Sequence, residues 1–219
     1  MLTVHTIPGS PYGRAVLIAC LEKGAPYRLA VVPLGGSKQP AHLARHPFGR
    51  IPAIDDDGFG LYETQAITRY VDASYGTPGA LTPTDAKAAA RMNQAIGVVD
   101  CYVFADGGAK TLVFNRVVGP KLGFPSNDEA ATAAVPAARR AVEALAGMLG
   151  SSPYLAGEAF SLADVHAGPQ LDLLSECDEG AAMLKGTPLE AWLERLRARP
   201  SFAATTWPRV AEAAAAVAA

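Results

Sequence analysis

Only three cysteines, Cys20, Cys101 and Cys177, are spread over the 219 residues, and none forms a Cys-x-x-Cys pair. An odd and scattered set argues against a disulfide framework or a zinc site and for a reducing, cytoplasmic setting. No apolar run approaches the roughly 18 residues of a membrane span. Ala15 to Leu21 is apolar behind Arg14, but turn-formers precede it and Glu22-Lys23-Gly24 follow without a small-residue cleavage site, so it is not read as a signal peptide. Positive charge is not in excess either. The 19 Lys and Arg against 21 Asp and Glu leave a formal net charge of −2. No general attraction to nucleic acid or an anionic membrane follows. His5, His42, His46 and His166 are not read as a metal site, and Gly35-Gly36 lacks the glycine pattern of a phosphate loop.

What is present is a folded chain, half hydrophobic and 18% charged, long enough for one large domain or two small ones. The first part reads strand, helix, strand, then strand, strand, helix. Leu2 to Ile7 ends at Pro8-Gly9; Arg14 to Lys23 is a buried helix closed by Gly24; Tyr27 to Val32 is a second strand, parallel to the first through a right-handed crossover. Ile51 to Asp55 and Gly60 to Tyr62 flank Asp56-Asp57-Gly58, a hairpin signal, with Asp55 to Asp57 expected as a solvated turn. Glu63 to Tyr75 is a helix closed by Gly76. Beyond it the pattern turns helical. Four capping boxes are read: Thr82 with Asp85, Ser126 with Glu129, Ser161 with Asp164, and Thr187 with Glu190, with Pro83 and Pro188 at first helical positions. Helical stripes run through Met92, Ile96, Val99 and Val103, through Val135 to Leu149, and through Leu189, Trp192, Leu193 and Leu196. Kinks are expected at Pro136 and Pro169, and the alanine-rich tail after Val210 is expected to fray. The division is an α/β domain over residues 1–76, a linker over 77–83 and an all-α helical domain over 84–219.

Two stretches carry the chemistry. Arg45 to Ile54 sets Pro52 in an apolar, strand-like run, where proline marks an edge or a special backbone geometry. Leu61 to Ile67 opens a helix with Glu63 and Thr64, and a helix start presents free N–H groups that favour an anion. An exposed edge beside an anion-binding helix end suits a short acidic peptide.

Ser10-Pro11-Tyr12-Gly13-Arg14, the segment Pro47 to Ala53, Glu63-Thr64-x-Ala66-Ile67 and Ser161-Leu162-Ala163-Asp164 together resemble the glutathione S-transferases, nearest the serine-type phi and theta classes. The resemblance implies a thioredoxin-like N-terminal domain, an all-α C-terminal domain and usually a homodimer. It implies a cytosolic, detoxifying transferase with glutathione as cosubstrate, a small apolar electrophile as its partner, and no metal or resident cofactor. In such enzymes the serine at Ser10 donates a hydrogen bond to the glutathione sulfur, lowering its pKa; taken alone, Ser10 reads as a helix N-cap. Pro52 resembles the family's cis-proline, which turns the Ile51 backbone toward the cysteinyl unit of glutathione. Glu63 and Thr64 would hold the γ-glutamyl end, or would simply cap a helix. Lys38 and Arg50 would meet the glycyl carboxylate, or lie in solvent as most Lys and Arg do. Pro11, Tyr12, Phe104 and Phe114 are candidates for the electrophile site. Ser161 and Asp164 resemble a buried structural cap. The alternative is a non-catalytic ligand-binding or interaction protein of the same fold.

Overall fold

The computed structural model describes residues 1–104 and 108–218. The chain begins with β1 (Leu2–Thr6), α1 (Pro11–Glu22) and β2 (Tyr27–Val31). A 3-10 turn at Gly36–Lys38 and the short α2 (Pro40–Leu43) follow, then β3 (Ala53–Asp56), β4 (Phe59–Tyr62) and α3 (Thr64–Ser74). The strands form one sheet in the order β2-β1-β3-β4, with β1 and β2 parallel and the other pairs antiparallel. This is the thioredoxin-like arrangement that the resemblance implies. The β3–β4 hairpin turns on Asp57 and Gly58, both with positive φ (51° and 92°), as a two-residue hairpin loop requires.

Helices α1 and α3 pack together in this part of the chain. A Cβ on Gly13 would lie 1.9 Å from Thr6 Oγ1, so only glycine lets α1 approach β1 this closely. Lys23 and Asp72 form a buried ion pair at 2.8 Å, and the Lys23 ammonium also donates to the Thr77 carbonyl. That contact fixes the chain leaving α3 against the end of α1.

The remaining helices are α4 (Ala86–Val98), α5 (Ala109–Val113), α6 (Gly119–Lys121), α7 (Asp128–Leu149), α8 (Leu162–Leu174), α9 (Asp178–Leu184), α10 (Pro188–Arg197), α11 (Pro200–Ala204) and α12 (Trp207–Ala218). Two π-helical stretches, Val99–Val103 and Phe114–Val118, extend α4 and α5. Helix α8 is buried nearly all round, the mark of a central core helix. Helices α4, α5 and α9 pack on it. Asp164, fully buried, accepts from the Ser161 and Leu155 amides, the Ser161 hydroxyl and the Trp192 indole. Ser161 accepts in return from the Ala163 amide, completing the capping box.

Two compact units emerge, residues 81–196 and residues 1–80 with 197–219. The sequence division keeps everything after residue 83 in one domain; the C-terminal segment instead packs with the sheet unit. Arg14 on α1 donates to the Phe202 carbonyl at 3.2 Å and the Thr205 hydroxyl at 3.3 Å. Trp207 lies against Gly9, where a Cβ would meet its ring at 2.5 Å. The tail expected to fray is helical through Ala218.

Three of the four capping boxes differ from their sequence reading. Asp85 itself caps α4 through the Ala88 amide, so Thr82 and Pro83 precede the helix. Asn127, one residue after Ser126, caps α7 through the Ala130 amide. At α10 the Thr187 hydroxyl turns back to the Leu184 carbonyl and Glu190 accepts from the Gly186 amide. In each case another side-chain oxygen or backbone group within a turn competes for the same partners. Both α7 and α8 run on through Pro136 and Pro169. Asp56, expected in a solvated turn, accepts from the hydroxyls of Tyr70 and Tyr75 at 2.8 and 2.5 Å. Among the described residues no helix is long and apolar enough to cross a membrane.

Candidate functional site

Strand register gathers most of the candidate residues at one end of the sheet. His5 faces Ala53, and Ala53 faces Tyr62. The end of β1, the start of β3 and the end of β4 are therefore level with one another. The turn carrying Ser10 leaves the first, Ile51-Pro52 enters the second, and Glu63-Thr64 follows the third. Strand β2, parallel to β1, delivers the segment with Lys38 and Arg50 from the same end.

Ser10 is the N-cap of α1, and its Oγ accepts the Gly13 amide at 3.1 Å. The cap uses an oxygen lone pair and leaves the O–H proton without an acceptor among the described residues. The cap and the hydrogen-bond donor are thus two compatible roles of one hydroxyl. Pro11 follows at the first helical position, with Tyr12 in the same turn.

The Ile51–Pro52 peptide bond is cis. Pro52 stands just before β3, which is an interior strand, so the expected edge is not lateral: it is the open end of the sheet. Ile51 lies beyond the ladder, and neither its N–H nor its C=O is hydrogen-bonded among the described residues. The loop before it is held at three points. The Lys38 ammonium donates to the Phe48 carbonyl at 2.9 Å, the Gly49 amide to the His46 carbonyl at 2.7 Å, and His42 Nε2 meets the Arg50 carbonyl at 2.6 Å. The Arg50 guanidinium is exposed and has no partner among the described residues.

Glu63 precedes α3 with φ of 70°, a backbone region rare for a side chain of its kind and one that concentrates at ligand sites. Its side chain caps no helix N–H, and the amide of the buried Thr64, the first of α3, has no acceptor among the described residues. Sequence reasoning set His46 aside with the other histidines as no metal site, although His42 and His46 stand four residues apart. His46 is buried against Tyr62, with ring centroids 4.7 Å apart, and its Nε2 is 3.9 Å from the Glu63 carboxylate. Burial holds its pKa below the ordinary 6.5; the Glu63 charge opposes that, while His42, Arg50 and Lys38 add to it. His5, in β1, is pushed down to about 4 by burial and by the charges of Arg45 and His42. Among the described residues no cluster of three His, Cys, Asp or Glu could hold a metal ion.

Phe104 and Phe114 belong to the helical unit, at the ends of α4's extension and α5. Phe104 carries the Lys110 ammonium over its ring at 5.2 Å, and Phe114 is exposed beside Phe124. π-Helical turns are frequent at functional sites; here Phe114 is exposed and Phe104 half-buried.

Residues 4–79 match the family described as Glutathione S-transferase, N-terminal domain, and residues 95–200 match Glutathione S-transferase, C-terminal domain. Glutathione S-transferase F14 of Arabidopsis thaliana is 33% identical over 90% of this chain and 80% of its own length. The crystal structure of glutathione transferase F7 from Populus trichocarpa superposes with a TM-score of 0.81 at 29% identity, covering 97% of this chain and 99% of that one. Glutathione S-transferase I from maize, in complex with an atrazine glutathione conjugate, has a TM-score of 0.79 at 25% identity, covering 97% of each chain.

Proposed function

Because the chain belongs to the glutathione S-transferase family, and is accordingly a transferase that uses glutathione, we propose that it works by the serine route: Ser10 donates its hydroxyl proton to the glutathione sulfur and holds that sulfur as thiolate. The observation that carries this reading is the Ser10 hydroxyl itself, fixed as an acceptor from Gly13 with its own proton unspent. A free thiol near pKa 8.5 is mostly protonated at neutral pH, and a donor at the start of a helix favours its ionised form.

The remainder of the tripeptide follows the free groups at the same end of the sheet. The unpaired Ile51 backbone adds the cysteinyl unit like a further strand. Glu63 accepts from the γ-glutamyl ammonium, and Thr64 with its backbone N–H at the start of α3 takes the α-carboxylate. Arg50 meets the glycyl carboxylate. Lys38 anchors the Phe48 carbonyl and serves more as a support for the loop than as a direct contact. A small apolar electrophile is taken beside Pro11 and Tyr12, and proximity to the thiolate supplies much of the rate. Glutathione enters as cosubstrate, with no metal or resident cofactor in the scheme. A cytoplasmic setting is supported by the three free cysteines, and a detoxifying role by the atrazine glutathione conjugate held by the maize relative. A homodimer, as the family resemblance implies, is part of the same reading.

The test is the pH–rate profile with a generic aromatic halide. Ser10→Ala is expected to lower turnover at neutral pH by about ten- to hundredfold and to shift the thiol ionisation upward while glutathione still binds. An unchanged profile overturns the serine role.

A further inference from the structure

His46 is buried between the loop that ends at Pro52 and the residue that opens α3. It packs on Tyr62, its Nδ1 has no hydrogen-bond partner, and its Nε2 stands 3.9 Å from Glu63 Oε1. That distance is too long for a hydrogen bond, so the contact is electrostatic and its strength depends on whether the imidazole is charged. Glu63 is exposed and caps nothing; its backbone is held at positive φ, while its carboxylate is free to respond.

We propose that His46 is a positioning residue for Glu63, and that its protonation weakens glutathione binding. The inference rests on the glutathione reading of the site given above. With the imidazole neutral, the Glu63 carboxylate is available to the γ-glutamyl ammonium. With the imidazole protonated, two cations compete for one carboxylate, and the buried one is already in place. The groups that face His46 are Glu63, His42, Arg50 and Lys38. Two of these are permanent cations that no bound peptide removes. Burial, together with His42 and these cations, keeps the ring neutral at neutral pH against the pull of Glu63, so the change falls below the ordinary 6.5. By linkage, bound glutathione pushes the His46 titration to still lower pH.

Calorimetric titration of the intact protein with glutathione at about pH 7.5 and about pH 5 tests this, because the ring is neutral at the first and its charging falls below the ordinary 6.5. The wild-type Kd is expected to weaken about three- to tenfold at the lower pH. His46→Gln, which keeps a polar side chain but cannot titrate, is expected to show less than about a twofold change. Glu63→Gln should bind more weakly at both values and also lose the pH response. If His46→Gln weakens binding equally at both pH values and keeps the wild-type response, the histidine is only packing and the proposal fails. If the wild type binds glutathione with no pH response, the proposal fails while the glutathione reading stands; if it binds none at either pH, both fail. In the unmodified protein, the imidazole resonance of His46 should titrate at lower pH when glutathione saturates the site. A titration unmoved by glutathione also overturns the proposal.

Discussion

Glu22 and Arg199 lie 177 residues apart in the chain and meet in a two-pronged ion pair, with the guanidinium donating at 2.9 and 2.7 Å. Ser201 donates to the same carboxylate. The pair pins α11 to α1, the helix that begins at Ser10, and so makes the last helices part of the sheet unit.

This pair should give the protein a measurable acid sensitivity. Burial raises the Glu22 pKa, but the hydrogen bonds from Arg199 and Ser201 outweigh it and leave the group below its ordinary 4.5. A lowered carboxylate pKa contributes stability above the unfolded value, and that contribution is lost as pH falls through the folded one. Arg199→Ala is expected to cost about 1–3 kcal/mol at neutral pH, between the values for exposed and buried pairs. In urea unfolding the difference from wild type should shrink in acid, as Glu22 protonates.

Asp164 should matter for folding and not for chemistry. Its carboxylate is fully buried and satisfies the Trp192 indole at 2.8 Å as well as the start of α8. Burial alone pushes its pKa up, and the hydrogen bonds from Leu155, Trp192 and Ser161 act against that. Asp164→Ala leaves those donors unpaired and is expected to destabilise by about 3–5 kcal/mol. Turnover per folded molecule should be unchanged; a specific loss of rate would make Asp164 part of the reaction.

Arg50 should act on affinity. Its carbonyl is what His42 holds, so Arg50→Gln leaves the loop anchored and removes only the charge. The glutathione KM is expected to rise about three- to tenfold with kcat within about twofold, as loss of a charge-assisted bond to the ground state predicts. An unmoved KM would return Arg50 to the solvated surface.

The cysteines should separate by reactivity. Cys20 is buried, and burial pushes its thiol up to about 12. Cys177 is buried, its thiol is raised by burial, and it donates to the Leu174 carbonyl at 3.3 Å. Cys101 is exposed. Iodoacetamide on the native protein should label Cys101, with the other two at least about a hundredfold slower, read by mass spectrometry.

Residues that act through their own backbone preference were legible in the sequence. Gly24 and Gly76 end α1 and α3 with φ of 60° and 54°, and Asp57-Gly58 makes the hairpin. Ser161 and Asp164 form the expected box because both partners lie within one turn. The caps at Asp85 and Asn127 were misplaced because several short polar side chains compete within a few residues, and local spacing does not rank them. His46 was set aside for a different reason. Its importance lies in its nearness to Glu63, and that depends on how the loop after α2 folds back toward β4.

The sequence by itself determined the four strands and two main helices of residues 1–76, the glycine turns, the buried cap of α8 and the set of polar groups able to meet a peptide. Those are set by dihedral preference, side-chain periodicity and contacts within a turn. Only the tertiary structure decided that residues 197–219 join the sheet unit, that Ile51 keeps an unpaired backbone at the open end of the sheet, and that a buried imidazole stands beside Glu63. Each of these arises from contacts between segments far apart in the chain, where packing and charge, not local preference, fix the outcome.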